Sequence, residues 1–504
     1  MIKFDLKSGY HHVDIFEEHQ KFLGFSWNFG FGPEYFVFTV LPFGLSSACN
    51  IFTKLLKPLL SKWRANGMKT ILYLDDGVVT DSSKVQLESF AKIIKNDLLL
   101  CGLKVNEEKS VWEPTQGLEW LGIDIDLYSY EFKVPERKIV KTCDLLEHYY
   151  SLNRLTARSM ARVIGVIIAL AIVFGDKASL LTRYMQIFVA TALSWDKPQN
   201  ISVKVRSELA FWIHLLKGSG GTSRSIDTTP PEFQFVLFTD ASAIGGGGFI
   251  QGDPDSICHF YWSSEESQKS STFRELLALL QTIYSLDQKL SNCKILWYTD
   301  NQNACTIVNK GSMVEDLQDL SMDIFNFCDV KNLRIFPHWV ERAGNTIADR
   351  ISKIRESADW TVNQSIFEYF DKMWGPYNYD RFANTQNSKC ENFNSKFLCP
   401  RTNGVDCFKF NWHGFNNWLA PPISLISDVI LHMQRCSARG TLIVPKWKTG
   451  LFWPLLCDSR GNFKDFVIDW VEFKKPKNFF QCTRPNIFCS DFKSDVLVLK
   501  ISCR

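Results

Sequence analysis

The nine residues 71–79, ILYLDDGVV, constrain the chain more than any other stretch. Two apolar runs, Ile71-Leu72-Tyr73-Leu74 and Gly77-Val78-Val79, flank the adjacent carboxylates Asp75 and Asp76, so two short strands joined by a turn that carries the acids are expected. Adjacent aspartates repel each other. An isolated Asp-Asp is most often a solvated turn. Its other use is to hold a divalent cation, since hard cations take carboxylate oxygens and bring phosphates with them.

At 504 residues the chain has room for roughly three or four domains of about 100 to 200 residues each. With 45% hydrophobic and 22% charged residues it is not a disordered chain, and Phe 40 and Trp 16 make it rich in aromatics. A net charge of +3 does not mark a nucleic-acid binder, so that function has to rest on local patches and motifs. Fifteen cysteines without a tight repeat point to reduced thiols inside a cell, in cytoplasm or nucleus. The start, MIKFDLKSGYHHV, has no secretion signature. The longest apolar segment, residues 163–174, falls short of the ~20 residues that span a bilayer, so no membrane partner is expected.

Residues 1–126 form a first block. Phe4-Asp5-Leu6 sets a carboxylate in a short apolar stretch, with Tyr10 five residues later. Residues 35–40 read as a strand. Leu41-Pro42-Phe43-Gly44-Leu45-Ser46-Ser47-Ala48 then punctuates the start of a helix reaching about Trp63. An amphipathic helix over 84–101 follows the Asp-Asp hairpin, then Lys109, then a second apolar hairpin candidate at Leu118-Glu119-Trp120-Leu121-Gly122-Ile123.

In this order the pieces resemble the palm of a reverse transcriptase. The resemblance implies Asp5, Asp75 and Asp76 as catalytic ligands of two Mg²⁺ or Mn²⁺ ions. It implies contacts to nucleotide, template or primer from Tyr10, Pro42, Phe43, Gly44, Lys109, Trp120 and Gly122, with Tyr10 excluding a ribose 2′-hydroxyl. Nucleotide addition is in-line phosphoryl transfer, in which two cations about 4 Å apart stabilise the attacking and leaving oxygens. The implied partners are an RNA template, a DNA primer and deoxynucleoside triphosphates. Family members carry a fingers subdomain ahead of the first catalytic motif. Asp5 is almost the first residue, so the chain is expected to lack the fingers, and polymerisation by this chain alone is not expected.

Residues 127–230 carry 14 Lys plus Arg against 8 Asp plus Glu, an excess of +6. That suits a helical thumb or connection tracking a phosphate backbone, and equally a solvated helical surface. Helices are expected over 136–151, 156–174, 177–193 and 203–217, and residues 218–231, GSGGTSRSIDTTPP, read as a linker.

Residues 231–355 repeat one theme four times. An apolar strand ends in Asp240, and a glycine run, 245–248, is expected to permit a tight return before a second strand. Ser271-Thr272-Phe273-Arg274-Glu275 opens a helix, another apolar strand ends in Asp300, and Asp349 lies on a last helix. This order resembles ribonuclease H. The resemblance implies that Asp240, Glu275, Asp300 and Asp349 hold two Mg²⁺ or Mn²⁺ ions and cut the RNA of an RNA/DNA hybrid, assisted by His338, Arg342 and Asn345.

Residues 356–504 include Asp380-Arg381-Phe382-Ala383, Val405-Asp406-Cys407-Phe408, Trp418-Leu419-Ala420-Pro421-Pro422-Ile423 and 441–447, TLIVPKW. These resemble the region that follows ribonuclease H in DIRS-class retrotransposons, a region related to adenine-N6 methyltransferases. The polar residue and the aromatic that flank Pro-Pro in those enzymes are Ala420 and Ile423 here, which implies a degenerate, non-catalytic α/β domain. Beyond about Asp458 no element is assigned.

The whole therefore reads as a multidomain α+β and α/β protein: reverse transcriptase palm, helical thumb or connection, ribonuclease H-like domain and degenerate α/β domain. Its expected function is that of a DIRS-type retrotransposon RNA-directed DNA polymerase fused to ribonuclease H. The alternative is a decayed or domesticated nucleic-acid-binding protein without catalysis. Oligomeric state is left open.

Overall fold

A computed structural model describes residues 1–218, 221–226, 229–355, 360–481 and 492–503. The chain divides into two compact units, Met1–Thr229 and Pro230–Arg504. Of the expected linker, Ser219, Gly220, Asp227 and Thr228 lie outside the described residues. Among the described residues no helix is long and apolar enough to cross a membrane, and all thirteen cysteines are free thiols.

Alternation builds the first sheet. Strand β1, Ile2–Asp5, buries Ile2 and Phe4 and leaves Lys3 and Asp5 partly open. Gly24–Asn28 (β2) and Pro33–Val37 (β3) pair only with each other, in an exposed hairpin. Helix α1, Ala48–Ala65, turns Phe52, Leu56 and Trp63 inward. Lys69–Tyr73 (β4) and Asp76–Thr80 (β5) form the expected hairpin, and β5 lies between β1 and β4 in an antiparallel sheet. Ser83 caps helix α2, Lys84–Leu100. Buried Asp97 on α2 accepts hydrogen bonds from Trp63 Nε1 (2.9 Å) and Lys62 Nζ (2.7 Å), which fixes α2 against α1.

A second sheet starts with Gly117–Trp120 (β6), Ile123–Asp126 (β7) and Glu131–Lys133 (β8). Helices α3 (Glu136–Tyr150), α4 (Ala157–Ile168), α5 (Arg183–Ala190) and α6 (Val203–Lys217) follow, with four-residue helices at Ala171–Phe174 and Lys177–Leu180 between α4 and α5, before β9 (Ser223–Ser225) returns to pair with β8. The single helices expected over 156–174 and 177–193 are each split in two, into α4 and Ala171–Phe174 and into Lys177–Leu180 and α5. Buried Glu208 on α6 accepts the backbone N–H groups of Tyr184 and Met185, and so supplies a cap that makes a fresh helix start at this point favourable.

The second unit opens with a five-stranded mixed sheet. Its elements are β10 (Phe235–Ala241), β11 (Gly245–Ile250), β12 (Cys258–Tyr261), α7 (Ser271–Ser285), β13 (Lys294–Thr299), α8 (Gln302–Lys310), α9 (Glu315–Val330), β14 (Arg334–Trp339) and α10 (Thr346–Ser352). Strand order is β12-β11-β10-β13-β14, with β10, β13 and β14 parallel. The glycine run is the strand β11 itself, and residues 242–244 make the return. A Cβ on Gly247 would stand 2.3 Å from Ile351 Cγ2 of α10, and one on Gly248 2.7 Å from Thr282 Oγ1 of α7. The glycines let helices approach the strand; they are not a turn signal.

The same unit continues with α11 (Gln364–Trp374), β15 (Tyr379–Asp380), β16 (Asn392–Phe393), β17 (Asn416–Leu419), α12 (Ile426–Arg435), β18 (Arg439–Pro445), β19 (Val467–Phe473) and β20 (Val496–Ser502). They form a sheet ordered β16-β15-β17-β18-β20-β19, in which the first four strands are parallel and β20 runs antiparallel between β18 and β19. The region beyond Asp458, unassigned from sequence, thus supplies two strands, and Val496, Val498 and Leu499 are fully buried. A backbone bridge between Cys258 and Leu398 joins this sheet's loops to β12. The whole is a mixed α/β multidomain fold.

Candidate active sites

In the first unit, antiparallel register brings the acids together. β1 and β5 pair with Asp5 opposite Asp76, and the β4–β5 hairpin closes with Tyr73 opposite Asp76. That leaves Leu74 and Asp75 as a two-residue turn. Leu74 takes φ +55°, a conformation that such turns normally give to glycine or asparagine. The turn is held from below, because Leu6 N donates to Asp75 O at 3.0 Å. Burial first, and then the neighbouring Asp5 and Asp75, pushes the Asp76 carboxyl up to about 6. Lys109 Nζ stands 3.8 Å from Asp5 Oδ2 and offsets part of this repulsion.

Tyr10 follows Asp5 into the same neighbourhood. Its hydroxyl donates to Cys49 Sγ at 2.9 Å, and its ring lies against Phe43 and Phe52 at 5.1 and 5.2 Å between centroids. Pro42 is buried, Phe43 is exposed and Gly44 adopts φ +90°. Trp120 and Gly122 belong to the other sheet of this unit. There Leu121 and Gly122, both at positive φ, make the β6–β7 turn.

The second unit's acids come from three elements. Asp240 lies on β10, Glu275 in the second turn of α7, and Asp300 directly after β13. One carboxylate oxygen from each falls within 4.8 Å of the others, the only such set of three among the described residues. Glu275 is 3% exposed and its Oε2 has no partner. Burial, then Asp240 and Asp300, pushes its carboxyl up to about 9, and burial also raises Asp240. Three converging acids, one with an unmet buried oxygen, are costly alone and suit a hard divalent cation. The residues present therefore fit the implied metal.

Around this set, Ser352 O–H donates to Asp240 Oδ2 at 2.6 Å, and buried Asn345 donates from Nδ2 to Thr239 O at 2.9 Å, fixing the loop before α10 beside the acid. The cavity, about 430 Å³, is lined by all three acids together with Trp339 and Arg342. Arg342 places Nε 3.7 Å from Asp300 Oδ2 and Nη2 3.9 Å from Asp349 Oδ1. Asp349 is not one of the three convergent acids; Lys353 Nζ holds its Oδ1 at 2.5 Å. His338 stands apart from the cavity, opposite Tyr298 on the neighbouring strand with the rings edge-on at 5.2 Å. Its neighbour Trp339 lines the cavity instead and donates Nε1–H to Asp300 O at 3.1 Å. Sequence reasoning missed Trp339 and Ser352. Alternation along β14 hints at the first, and the Asp349–Ser352 spacing of one helical turn hints at the second.

Residues 1–125 match the family described as reverse transcriptase (RNA-dependent DNA polymerase). Among curated proteins, the chain is 25% identical over 314 residues to the enzymatic polyprotein of figwort mosaic virus (strain DxS), covering 60% of this chain and 42% of that protein. It is also 25% identical over 315 residues to the retrovirus-related Pol polyprotein from transposon gypsy of Drosophila melanogaster, covering 59% and 28% respectively. The chain thus spans less than half the length of these relatives. Among solved structures, the foamy viral protease-reverse transcriptase in complex with RNA/DNA hybrid aligns at TM-score 0.39 and 14% identity over 72% of this chain and 47% of that one. The same protein in complex with dsDNA aligns at TM-score 0.38 and 16% identity, covering 68% and 67%. Residues 1–125 therefore carry a reverse transcriptase domain, and the chain has polyprotein homologues in a plant virus and a retrotransposon.

Proposed function

We propose that the chain is an RNA-directed DNA polymerase fused to a ribonuclease H, from a mobile element of DIRS type. The observation that carries the nuclease half is the convergence of Asp240, Glu275 and Asp300 within 4.8 Å. Bound divalent cations would supply charge neutralisation at phosphate and an ionised water for attack. The chain's own residues do the rest. Asp240, Glu275 and Asp300 hold the cations, Ser352 orients Asp240, and Arg342 bridges Asp300 and Asp349 at the cavity mouth. Asp349 serves at the edge of the centre, not inside it.

For the polymerase half, Asp5 and Asp75 act as the cation ligands, with Asp76 in support. The matched family and the Asp5–Asp76 register support this reading. Tyr10, packed on Phe43 and Phe52, forms the floor beneath the sugar of the incoming nucleotide. Pro42, Gly44, Lys109, Trp120 and Gly122 contact nucleotide, template or primer. RNA template, DNA primer, RNA/DNA hybrid and deoxynucleoside triphosphates are the partners this function requires.

The test is Mg²⁺-dependent cleavage of labelled RNA in an RNA/DNA hybrid, with Asp300→Asn as the control. Cleavage that disappears in the control supports the nuclease. A folded protein that binds the hybrid without cutting it would instead establish a non-catalytic nucleic-acid-binding role.

A further inference from the structure

The fourth acid of the second unit is where the chain's own cations gather. Asp349 lies outside the set of three that converge within 4.8 Å, and Lys353 Nζ holds its Oδ1 at 2.5 Å. Arg342 Nη2 stands 3.9 Å from the same oxygen, while its Nε reaches to 3.7 Å from Asp300 Oδ2. The guanidinium thus spans the gap between the three-carboxylate set and Asp349. Among the described residues no other Lys or Arg pairs with any of the four acids. Arg274, next to Glu275 in sequence, instead donates from Nη1 to Ser242 O at 3.2 Å. With all four carboxylates ionised, two cationic partners leave two negative charges unmet, which one divalent ion cancels.

Arg342 is placed by its backbone and left free at its head. It begins the short turn Arg342–Gly344 between β14 and α10. Trp339 Nε1–H donates to Asp300 O before it and Asn345 Nδ2 to Thr239 O after it, so the fold fixes where the side chain starts. The side chain itself is 76% exposed, whereas those of Asp300 and Asp349 are 18% and 21% exposed. At 3.7 and 3.9 Å its nitrogens are beyond hydrogen-bond reach of either carboxylate, so its hold is electrostatic and weak, as exposed pairs are. It neutralises the gap without closing it.

We infer that Arg342, seconded by Lys353, is a built-in counter-ion in the place between the three-carboxylate set and Asp349 where a second divalent cation would lie. This rests on the reading of the centre as a cation site. The free protein then takes one divalent cation on Asp240, Glu275 and Asp300, and admits a second only by displacing Arg342. The chain thereby sets the cation concentration at which the second position fills.

Mn²⁺ titration followed by electron paramagnetic resonance tests this on the full chain carrying Asp75→Asn, which removes a cation ligand of the first unit. Free Mn²⁺ is counted from its sharp resonance, and two ions bound side by side broaden each other's spectrum. One ion is expected to bind, with a second following about tenfold or more weakly. Arg342→Gln should tighten the second ion about tenfold, the worth of two exposed ion pairs, and bring the broadened spectrum to correspondingly lower Mn²⁺. Arg342→Lys keeps the charge and should stay within about threefold of wild type, because the hold is electrostatic. Lys353→Gln, an independent variant that removes one pair, should tighten the second ion about threefold. Two ions bound equally in the wild type, or a second affinity unmoved by Arg342→Gln, overturns the inference while leaving the centre a cation site. If Asp300→Asn removes no bound ion, the cation reading of the centre fails, and this inference with it.

Discussion

The two acidic centres solve one electrostatic problem by different means. In the first unit Asp5 and Asp76 meet through strand register, while Asp75 sits in a turn and Lys109 supplies a cation at 3.8 Å. In the second unit Asp240, Glu275 and Asp300 come from two strands and a helix, and the deepest of them, Glu275, has an oxygen with no partner. The first centre is partly neutralised by the chain itself. The second has Arg342 3.7 Å from Asp300 Oδ2 in the same role, but it buries Glu275 with an oxygen that no group of the chain meets, and that difference says which centre gains more from a bound cation.

The sharpest way to break the comparison is to remove one acid from each centre. Asp300→Asn is expected to lower hybrid cleavage on the order of a thousandfold without touching any primer extension, and Asp75→Asn should abolish any primer extension while leaving cleavage intact. Paired assays on the same preparations check this; one substitution that depressed both activities would deny that the centres are separate. A structural acid gives the contrasting case. Asp97 is already satisfied by Trp63 and Lys62, which hold its carboxyl below the usual range, so Asp97→Ala should cost about 3 kcal/mol of stability in urea unfolding.

Glu275 should behave in the opposite sense. With its folded-state carboxyl raised to about 9 by burial, the folded protein binds more protons than the unfolded chain between pH 4.5 and 9, and stability falls as pH rises through that window. Glu275→Gln is expected to stabilise the metal-free protein by about 2 kcal/mol at pH 7, a gain that vanishes below pH 4.5, while abolishing cleavage. Melting curves across pH in EDTA measure it. A variant that melts lower than wild type at pH 7 would sink this account of the centre. The smallest effect belongs to Ser352→Ala, which removes the donor to Asp240 Oδ2 and should reduce cleavage about tenfold at a stability cost of about 1 kcal/mol.

Much of the fold was legible because local pattern and tertiary role agree. Residues 235–241 and 294–299 read as apolar strands next to Asp240 and Asp300, and they are β10 and β13. The hairpin around Asp75 read equally well. What could not be read depends on distant partners. Opposition of Asp5 and Asp76 is a register, set by pairing across some seventy residues of chain. The glycines at 245–248 carry a turn's composition but serve close helix packing, which local sequence does not encode. The break before α5 follows from a glutamate twenty-four residues away. Arg381 looked like one basic residue among many; only burial between Asn394 and Asn417 reveals an unmet donor.

The place of β20 has a consequence for how this protein is made. Residues 496–502 lie between β18 and β19, so the sheet in the second unit cannot close until they have left the ribosome. Until then β18 and β19 each present an open edge, and the apolar face that β20 covers stays wet. A chain cut between residues 474 and 495 would carry β18 and β19 with no strand between them, and so two strand edges open to pairing with other chains.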